Sequence, residues 1–136
     1  MNKGLLIVAS MFLLFGGSIF AQNKSESNQQ DNNKAFFSLE EKSLDFGEIK
    51  MGSTKSLELS FKNTGNKTLV LTDVYTNCGC TTVDWPKDPF APGKSGTLKI
   101  TYNPTETGPF SKTIYVYTNA KNSSETIQIE GIIIEK

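Results

Sequence analysis

The sequence predicts an all-β protein, an immunoglobulin-like antiparallel β-sandwich of about seven strands. Three observations support this fold class. From residue 35 onward, short segments alternate apolar and polar side chains with a period of two, and none repeats with a helical period. Turn-forming Gly, Pro, Asn and Asp residues separate these segments. This region of about 100 residues is long enough to bury one core between two packed sheets.

The first half of the region contains four predicted strands. Residues 35–39 form an apolar opening, and residues 44–49 continue it as a short edge segment. Residues 56–62 alternate most clearly, with three large apolar side chains on one face and polar side chains on the other. Residues 63–66 are a turn cluster of Asn, Thr and Gly, and residues 69–75 form the strand that leads into the cysteine motif.

The second half contains three more predicted strands. The prolines and glycine of residues 86–93 exclude a central strand there and predict a loop. Residues 97–102 and 114–117 alternate in the manner of half-buried strands, and the last strand covers residues 127–134. Within this last strand, Gly131 is expected to mark a β-bulge that swaps the facing of the final apolar run.

The N-terminal region predicts export. Residues 1–21 combine a positively charged start, a short apolar run and the small Ala21 before the expected cleavage point, which is typical of a signal peptide. The apolar run is short for a membrane span, which favours cleavage over an uncleaved anchor. Residues 22–34 contain no apolar side chain and are expected to form a disordered polar linker. The sandwich domain then comprises residues 35–136, and a periplasmic or extracellular location is expected.

The charge balance argues against nucleic acid as a partner. Outside the predicted signal peptide, 13 Lys stand against 14 acidic residues, and the chain contains no Arg. Nucleic-acid binding needs a concentrated cationic face, and base recognition relies on Arg. The chain also has no His, which removes the commonest general base and every Ser-His-Asp or Cys-His arrangement. We therefore expect neither enzymatic activity nor a bound cofactor.

Both cysteines lie in the motif Cys78-Gly79-Cys80, which interrupts the β pattern shortly before the only Trp. In a straight strand their side chains would share a face with α-carbons about 6.5 Å apart, near the limit for a disulfide. Gly79 is expected to bend the backbone and bring them closer. A disulfide here would close a three-residue loop and stabilise the fold by only about 1.6 kcal/mol before strain is subtracted.

Three roles for Cys78 and Cys80 remain open. A disulfide that adds so little stability is typical of a redox pair, in which one thiol attacks and the other resolves. Two thiolates at this spacing can also bind Cu(I) or supply half of a Zn(II) site, although a four-ligand zinc site would need unusual Asp partners. The third role is packing, with two small apolar side chains filling a tight bend beneath the core.

Tyr115 and Tyr117 define a second candidate site. In this segment Ile114 and Val116 face one side of the strand, and the two tyrosines face the other. Exposed aromatic side chains on a sheet are candidates for a contact face, although Tyr also suits the outer face of any sheet. A protein or another envelope component is the expected partner.

Several motifs together resemble one bacterial family. They are Leu44-Asp45-Phe46-Gly47-Glu48-Ile49, Phe61-Lys62-Asn63-Thr64-Gly65, Asn77-Cys78-Gly79-Cys80-Thr81, Pro92-Gly93 and Tyr102-Asn103-Pro104. Over residues 38–120 the chain resembles the bacterial domain of unknown function 1573. The resemblance implies an exported immunoglobulin-like sandwich related to Hydin-type and major-sperm-protein-type domains, and it implies no activity. It carries over only Cys78 and Cys80 as candidate residues.

These observations favour an exported, single-domain binding or scaffolding module of the cell envelope. The alternative is a thiol-redox or soft-metal handling protein that uses Cys78 and Cys80. Donor-strand chaperoning is a further rival, because pilus chaperones share this architecture. Those chaperones pair two domains and bind their client with a basic pair that includes Arg, which this chain lacks. After processing, no membrane span is expected, and the oligomeric state is left open.

Overall fold

The computed structural model describes residues 33–136, so the predicted signal peptide and nearly all of the predicted linker lie outside the described residues. The described part contains eight β-strands and no helix. In chain order the strands are β1 (Phe37–Leu39), β2 (Ser43–Lys50), β3 (Lys55–Asn63), β4 (Leu71–Thr76), β5 (Thr81–Asp84), β6 (Ser95–Tyr102), β7 (Gly108–Thr118) and β8 (Ser124–Ile134).

The strands form two four-stranded sheets packed face to face. One sheet has the order β1-β3-β6-β5, and the other has the order β2-β8-β7-β4. This is the constant-type immunoglobulin arrangement, with the first strand split between the two sheets. The predicted all-β, immunoglobulin-like sandwich is therefore confirmed.

The core lies between the sheets and consists of the inward residues of each alternating strand. Because successive side chains on a strand point to opposite faces, every second residue enters the core and the others face solvent. The largest fully buried apolar side chains come from both sheets and are Phe37, Phe46, Phe61, Leu69, Leu98, Ile100, Ile114, Val116, Ile127 and Ile129.

The structure has one strand more than the seven predicted. The additional strand is β5, which pairs with β6 over only four residues. Four residues are too few for alternation to stand out from a turn. The segment 44–49 is also not an extension of the first strand, because β1 pairs with β3 whereas β2 pairs with β8 in the other sheet.

Two expectations about pairing were wrong. The sandwich is not wholly antiparallel, because β2 runs parallel to β8. The bulge predicted at Gly131 lies instead on β2, where the register shifts between Asp45 and Glu48 and Gly47 has a φ of 64°. Gly131 keeps the regular register with β7, and Ile133 is buried in phase with Ile129. A Cβ on Gly131 would lie 2.7 Å from the Phe110 ring, so packing explains this glycine.

The strand directions give the sandwich two ends, which we name by their most informative residues. The Asn63 end comprises residues 33–36, 63–70, 85–94 and 119–123. The cysteine end comprises the three connections 51–54, 77–80 and 103–107. Both candidate sites can now be placed relative to these ends.

Candidate functional site

The cysteine motif lies where the chain crosses from one sheet to the other. It connects β4 to β5, and each of these strands is the outermost strand of its own sheet. The backbone N–H of Asn103 donates a hydrogen bond to the carbonyl of Cys80 (2.7 Å), which joins the crossing to the neighbouring β6–β7 connection. The motif is thus placed on the rim of the sandwich at the cysteine end.

Cys78 and Cys80 form a disulfide, and their α-carbons are 5.2 Å apart. This separation is shorter than that of a straight strand because the chain turns between the two residues. The N–H of Thr81 donates to the carbonyl of Cys78 (3.2 Å) and closes the turn. The cysteine spacing alone is compatible with either oxidation state, and in the structure the two sulfurs are joined by one covalent bond.

The two sulfurs have different surroundings. Cys80 is only 7% exposed and belongs to the hydrophobic core, whereas Cys78 is half-buried and packs against the core from its edge. The Sγ of Cys80 lies 3.8 Å from the Oγ1 of buried Thr81. The Sγ of Cys78 accepts a hydrogen bond from the backbone N–H of Cys80 (3.2 Å). Each sulfur therefore has one hydrogen-bond donor of its own.

Gly79 is not required by the backbone conformation of this turn. It is absent from the glycines with positive φ, and a Cβ added to it would meet nothing within 4 Å. The expectation that glycine is what bends the chain here is therefore not supported by its geometry. An L-amino acid with a small side chain fits this position.

The disulfide lies beside a buried tyrosine. In the β5–β6 pairing, Thr81 is directly opposite Tyr102, whose ring stacks on Phe110 with centroids 3.9 Å apart. Burial, and secondarily the nearby Glu106 carboxylate, raises the pKa of Tyr102. The raised pKa keeps this buried phenol neutral.

Metal ligands do not gather around the cysteine pair in the described part of the chain. Residues 33–136 contain no group of three or more His, Cys, Asp and Glu side chains arranged to hold a metal ion. Reduced Cys78 and Cys80 would therefore offer two thiolates, with no third His, Cys, Asp or Glu ligand grouped around them in this part of the chain.

The second predicted site, Tyr115 and Tyr117, lies on the outer face of the sheet β2-β8-β7-β4. Ile114 and Val116 point into the core, as the alternation predicts, and Tyr117 is 40% exposed. Sequence reasoning did not include Tyr75, which is 53% exposed and pairs with Tyr115 across the β4–β7 ladder. The Tyr75 and Tyr115 rings are 6.2 Å apart between centroids. We call these three residues the tyrosine face.

Tyr75 of the tyrosine face lies on β4, and the disulfide lies in the turn that follows this strand. Tyr75 precedes Cys78 by three residues, which corresponds to about 10 Å of extended chain. A macromolecule that covers Tyr75 and Tyr115 would therefore approach the rim where Cys78 lies. The sequence places Tyr75 near the cysteine motif, but the link from Tyr75 to Tyr115 depends on the pairing of β4 with β7.

The eight-stranded arrangement, with the first strand split between the two sheets, defines an immunoglobulin-like sandwich. Residues 37–133 match the family described as "Protein of unknown function (DUF1573)". The chain belongs to this family, which confirms the resemblance drawn from the sequence motifs. No curated protein sequence matches the chain.

Solved structures with similar folds come from distant proteins. A protein of unknown function from Porphyromonas gingivalis W83 aligns with a TM-score of 0.66 and 21% identity, over 72% of this chain and 46% of that one. A PapD-like domain of human CEP192 aligns with a TM-score of 0.60 and 16% identity, over 74% of this chain and 86% of that one. The Escherichia coli chaperone DraB aligns with a TM-score of 0.53 and 13% identity, over 71% and 54%. These similarities establish the fold.

The structure also bears on membrane insertion. Between residues 33 and 136 there is no helix long and apolar enough to cross a membrane.

Proposed function

We propose that this protein is an exported binding or scaffolding module of the cell envelope that contacts a protein partner through the tyrosine face. The signal-peptide pattern of residues 1–21 supports export to the periplasm or beyond the cell. The fold is one that proteins use for interaction, as in the chaperone DraB. The observation that carries the proposal is the tyrosine face, in which Tyr75 is 53% and Tyr117 40% exposed, and the half-buried Tyr115 ring lies 6.2 Å from the Tyr75 ring.

The two outer faces of the sandwich differ in composition, and this difference supports the choice of face. The outer positions of β3 and β6 carry only small hydroxyl or charged side chains, namely Ser56, Glu58, Ser60, Lys62, Thr97, Lys99 and Thr101. The tyrosine face instead presents rings with an apolar body and a polar tip. Tyr side chains of this kind are enriched at interfaces because they bury a large area with few rotatable bonds.

Site-specific photo-crosslinking tests the binding proposal. A photoreactive amino acid at position 117 should form a discrete crosslinked product with an envelope protein in the producing cell. The same amino acid at position 60, on the outer face of the other sheet, should not. Equal products from positions 60 and 117, or none from position 117, would contradict the proposal.

A competition variant identifies which residues make the contact. Tyr75→Ser combined with Tyr115→Ser should abolish the product at position 117 while the melting temperature stays close to that of the parent. Phe36→Ser is the matched control, because Phe36 is 41% exposed but lies at the Asn63 end. This control should leave the product unchanged.

A second candidate function is thiol redox chemistry at Cys78 and Cys80. The bond between the two sulfurs favours it over soft-metal binding, because a disulfide offers no thiolate to a metal. Loop closure over three residues stabilises the fold by only about 1.6 kcal/mol, so stability alone is a weak reason for this bond. Cu(I) binding would require the pair to be reduced first.

Thiol titration separates these chemical roles. Protein purified without reductant should show no reactive thiol, and two thiols should appear after mild reduction without unfolding. Metal analysis of the same reduced sample should show no bound copper or zinc. Thiols that stay inaccessible until the protein unfolds would support a packing role and exclude both chemical roles.

A further inference from the structure

We propose that the Cys78–Cys80 disulfide oxidises accessible thiols in a fixed direction, with Cys78 as the sulfur that bonds to the substrate and Cys80 as the sulfur that leaves. This inference rests on the second candidate function, thiol redox chemistry, and adds the order of events and the class of substrate. It is carried by the unequal burial of the two sulfurs and by the separate donor that each one has.

In the first step, a substrate thiolate attacks the Sγ of Cys78. Exchange requires the attacking thiolate to approach in line with the sulfur–sulfur bond, and access decides which sulfur is attacked. Cys78 is half-buried on the rim, whereas Cys80 is enclosed in the core. A new bond forms between the substrate sulfur and Cys78, and the old bond breaks with its electron pair on Cys80.

Thr81 is placed to stabilise the departing thiolate. In the disulfide Cys80 carries no S–H, so the Thr81 hydroxyl, 3.8 Å from its Sγ, is the only one of the two groups that can donate. Thr81 is itself buried, and a hydrogen bond to a charged acceptor is strengthened where water is excluded. Cys80 then takes up a proton from solvent.

In the second step, another substrate thiolate attacks the substrate sulfur of the mixed disulfide. The bond to Cys78 breaks, and Cys78 leaves as a thiolate, toward which the N–H of Cys80 already donates in the disulfide (3.2 Å), and which then takes up a proton from solvent. Two thiols have lost two electrons and become a disulfide, and the protein has gained two electrons and two protons as a dithiol. The protein disulfide is the only oxidant consumed.

The substrate class is an accessible aliphatic thiol, from a small molecule or a polypeptide. The rim is open on the side of Cys78, because Asn77 and Gly79 on either side of it are both exposed and a Cβ at Gly79 would meet no atom. No cationic or anionic side chain contacts either sulfur among the described hydrogen bonds and ion pairs. The substrate class is accordingly defined by the access of its thiol to Cys78.

Single-cysteine variants of the full chain test the direction of attack. Cys80→Ser, which keeps Cys78, should form a mixed disulfide with oxidised glutathione at least about tenfold faster than Cys78→Ser, as followed by intact mass. A cysteine-containing peptide disulfide should give the same order if polypeptide thiols are also substrates, and no mixed disulfide with either variant if only small thiols reach the rim. Equal rates with glutathione, or a faster Cys78→Ser, would overturn the inference.

A measurement on the unmodified protein guards against variants that fold poorly. The reduced wild-type chain is treated with limiting iodoacetamide under native conditions, and peptide mapping should find Cys78 alkylated first.

Equilibration of the wild type with glutathione buffers separately tests the second candidate function, thiol redox chemistry. If the pair stays oxidised at every glutathione ratio but Cys78 is the cysteine alkylated first, thiol redox function is rejected and the difference between the two sulfurs stands. If the pair exchanges with glutathione but Cys80 forms the mixed disulfide, the proposed direction of attack is rejected and thiol redox function stands.

Thr81 variants test the proposed donor. Thr81→Val should slow reduction of the disulfide by glutathione by about tenfold, since a hydrogen bond to a thiolate is lost. Thr81→Ser restores the hydroxyl and should recover most of the wild-type rate at an unchanged melting temperature. If Thr81→Val and Thr81→Ser are reduced at the same rate, the donor role of Thr81 is rejected.

Discussion

The two ends of this sandwich differ in how strongly hydrogen bonds and packing constrain their turns. At the Asn63 end, one buried polar side chain joins three segments of backbone through four hydrogen bonds, and the turn at Gly65 is closely packed. At the cysteine end, the hydrogen bonds of the turn that carries Cys78 and Cys80 reach only adjacent residues and Asn103, and there is free space beside Gly79. The contrast indicates that the first end maintains the fold and that the second tolerates change, which is what a reactive site on a rim requires.

Asn63 satisfies every donor and acceptor of its side chain. Its Oδ1 accepts from the N–H of Phe36 (3.3 Å) and of Gly65 (3.1 Å). Its Nδ2 donates to the carbonyls of Lys67 (2.7 Å) and Phe90 (3.0 Å). A fully buried amide is costly unless each of these bonds is made, so this network specifies how the turns of the Asn63 end assemble.

The largest expected effect follows from removing this amide. Asn63→Ala should lower the free energy of unfolding by about 3 kcal/mol, because buried backbone groups lose their partners. Urea denaturation followed by Trp85 fluorescence measures the loss. Asn66→Ala, an exposed residue of the same turn, is the matched control and should change stability by less than about 0.5 kcal/mol. Similar losses in the free energy of unfolding for Asn63→Ala and Asn66→Ala would contradict the conclusion that the buried amide constrains the Asn63 end.

Gly65 at the Asn63 end and Gly79 at the cysteine end provide the second comparison. A Cβ on Gly65 would lie 2.5 Å from the backbone N of Phe36, so Gly65→Ala should destabilise the fold by about 2 kcal/mol. Gly79→Ala has open space at a negative φ and should change stability by less than about 0.5 kcal/mol. Thermal unfolding of both variants measures the difference. A large loss for Gly79→Ala would mean that the cysteine turn is as constrained as the Asn63 end.

Removing the disulfide should lower the free energy of unfolding by less than Asn63→Ala or Gly65→Ala does. Replacing both cysteines by Ala removes a three-residue loop closure, worth about 1.6 kcal/mol or less in the chain-entropy model. The double variant should therefore remain folded, with an unchanged far-ultraviolet circular dichroism spectrum and a slightly lower urea midpoint. Unfolding of this variant would show that the disulfide is structural and would remove the main argument for its reactivity.

The sequence predicted the architecture because period-two alternation reports directly on burial in a two-layer fold. Leu59, Phe61, Ile114 and Val116 are all buried as their pattern requires. What it could not supply were pairings between distant strands. The parallel β2–β8 pair, the bulge opposite Gly131 and the four-residue β5 depend on tertiary contacts that leave little local pattern.

Residues of the candidate sites could be predicted where local alternation or spacing places them, but not where the pairing of distant strands does. Tyr115 and Tyr117 follow from alternation within one strand, whereas Tyr75 joins them only through the β4–β7 register. The cysteine pair was visible from its spacing. The inequality of its two sulfurs was not, because it arises from the position of Cys80 beneath the core and of Thr81 in β5.

The smallest expected effect concerns acid stability at the Asn63 end. The Nζ of Lys42 donates to one carboxylate oxygen of Glu125 (2.8 Å), and the Nδ2 of Asn122 donates to the other (2.9 Å). These hydrogen bonds, that from Lys42 first, lower the pKa of Glu125 below its ordinary value of 4.5. A lowered folded-state pKa means that the stabilisation is complete above about pH 4.5 and is lost as the pH falls through the folded-state value.

Since Lys42 is largely exposed, the contribution should stay below about 1 kcal/mol. Glu125→Gln should therefore flatten the decline in urea midpoint below pH 4.5, because it removes the titrating carboxylate, while Glu130→Gln on the same strand should keep the wild-type profile. Asn122 also bonds both backbone groups of Phe37, so protonation of Glu125 loosens the attachment of β1. Hydrogen exchange at pH 3.5 should accordingly rise at Phe37 and not at Thr81. A rise at Thr81 instead would place the acid-sensitive contact at the cysteine end.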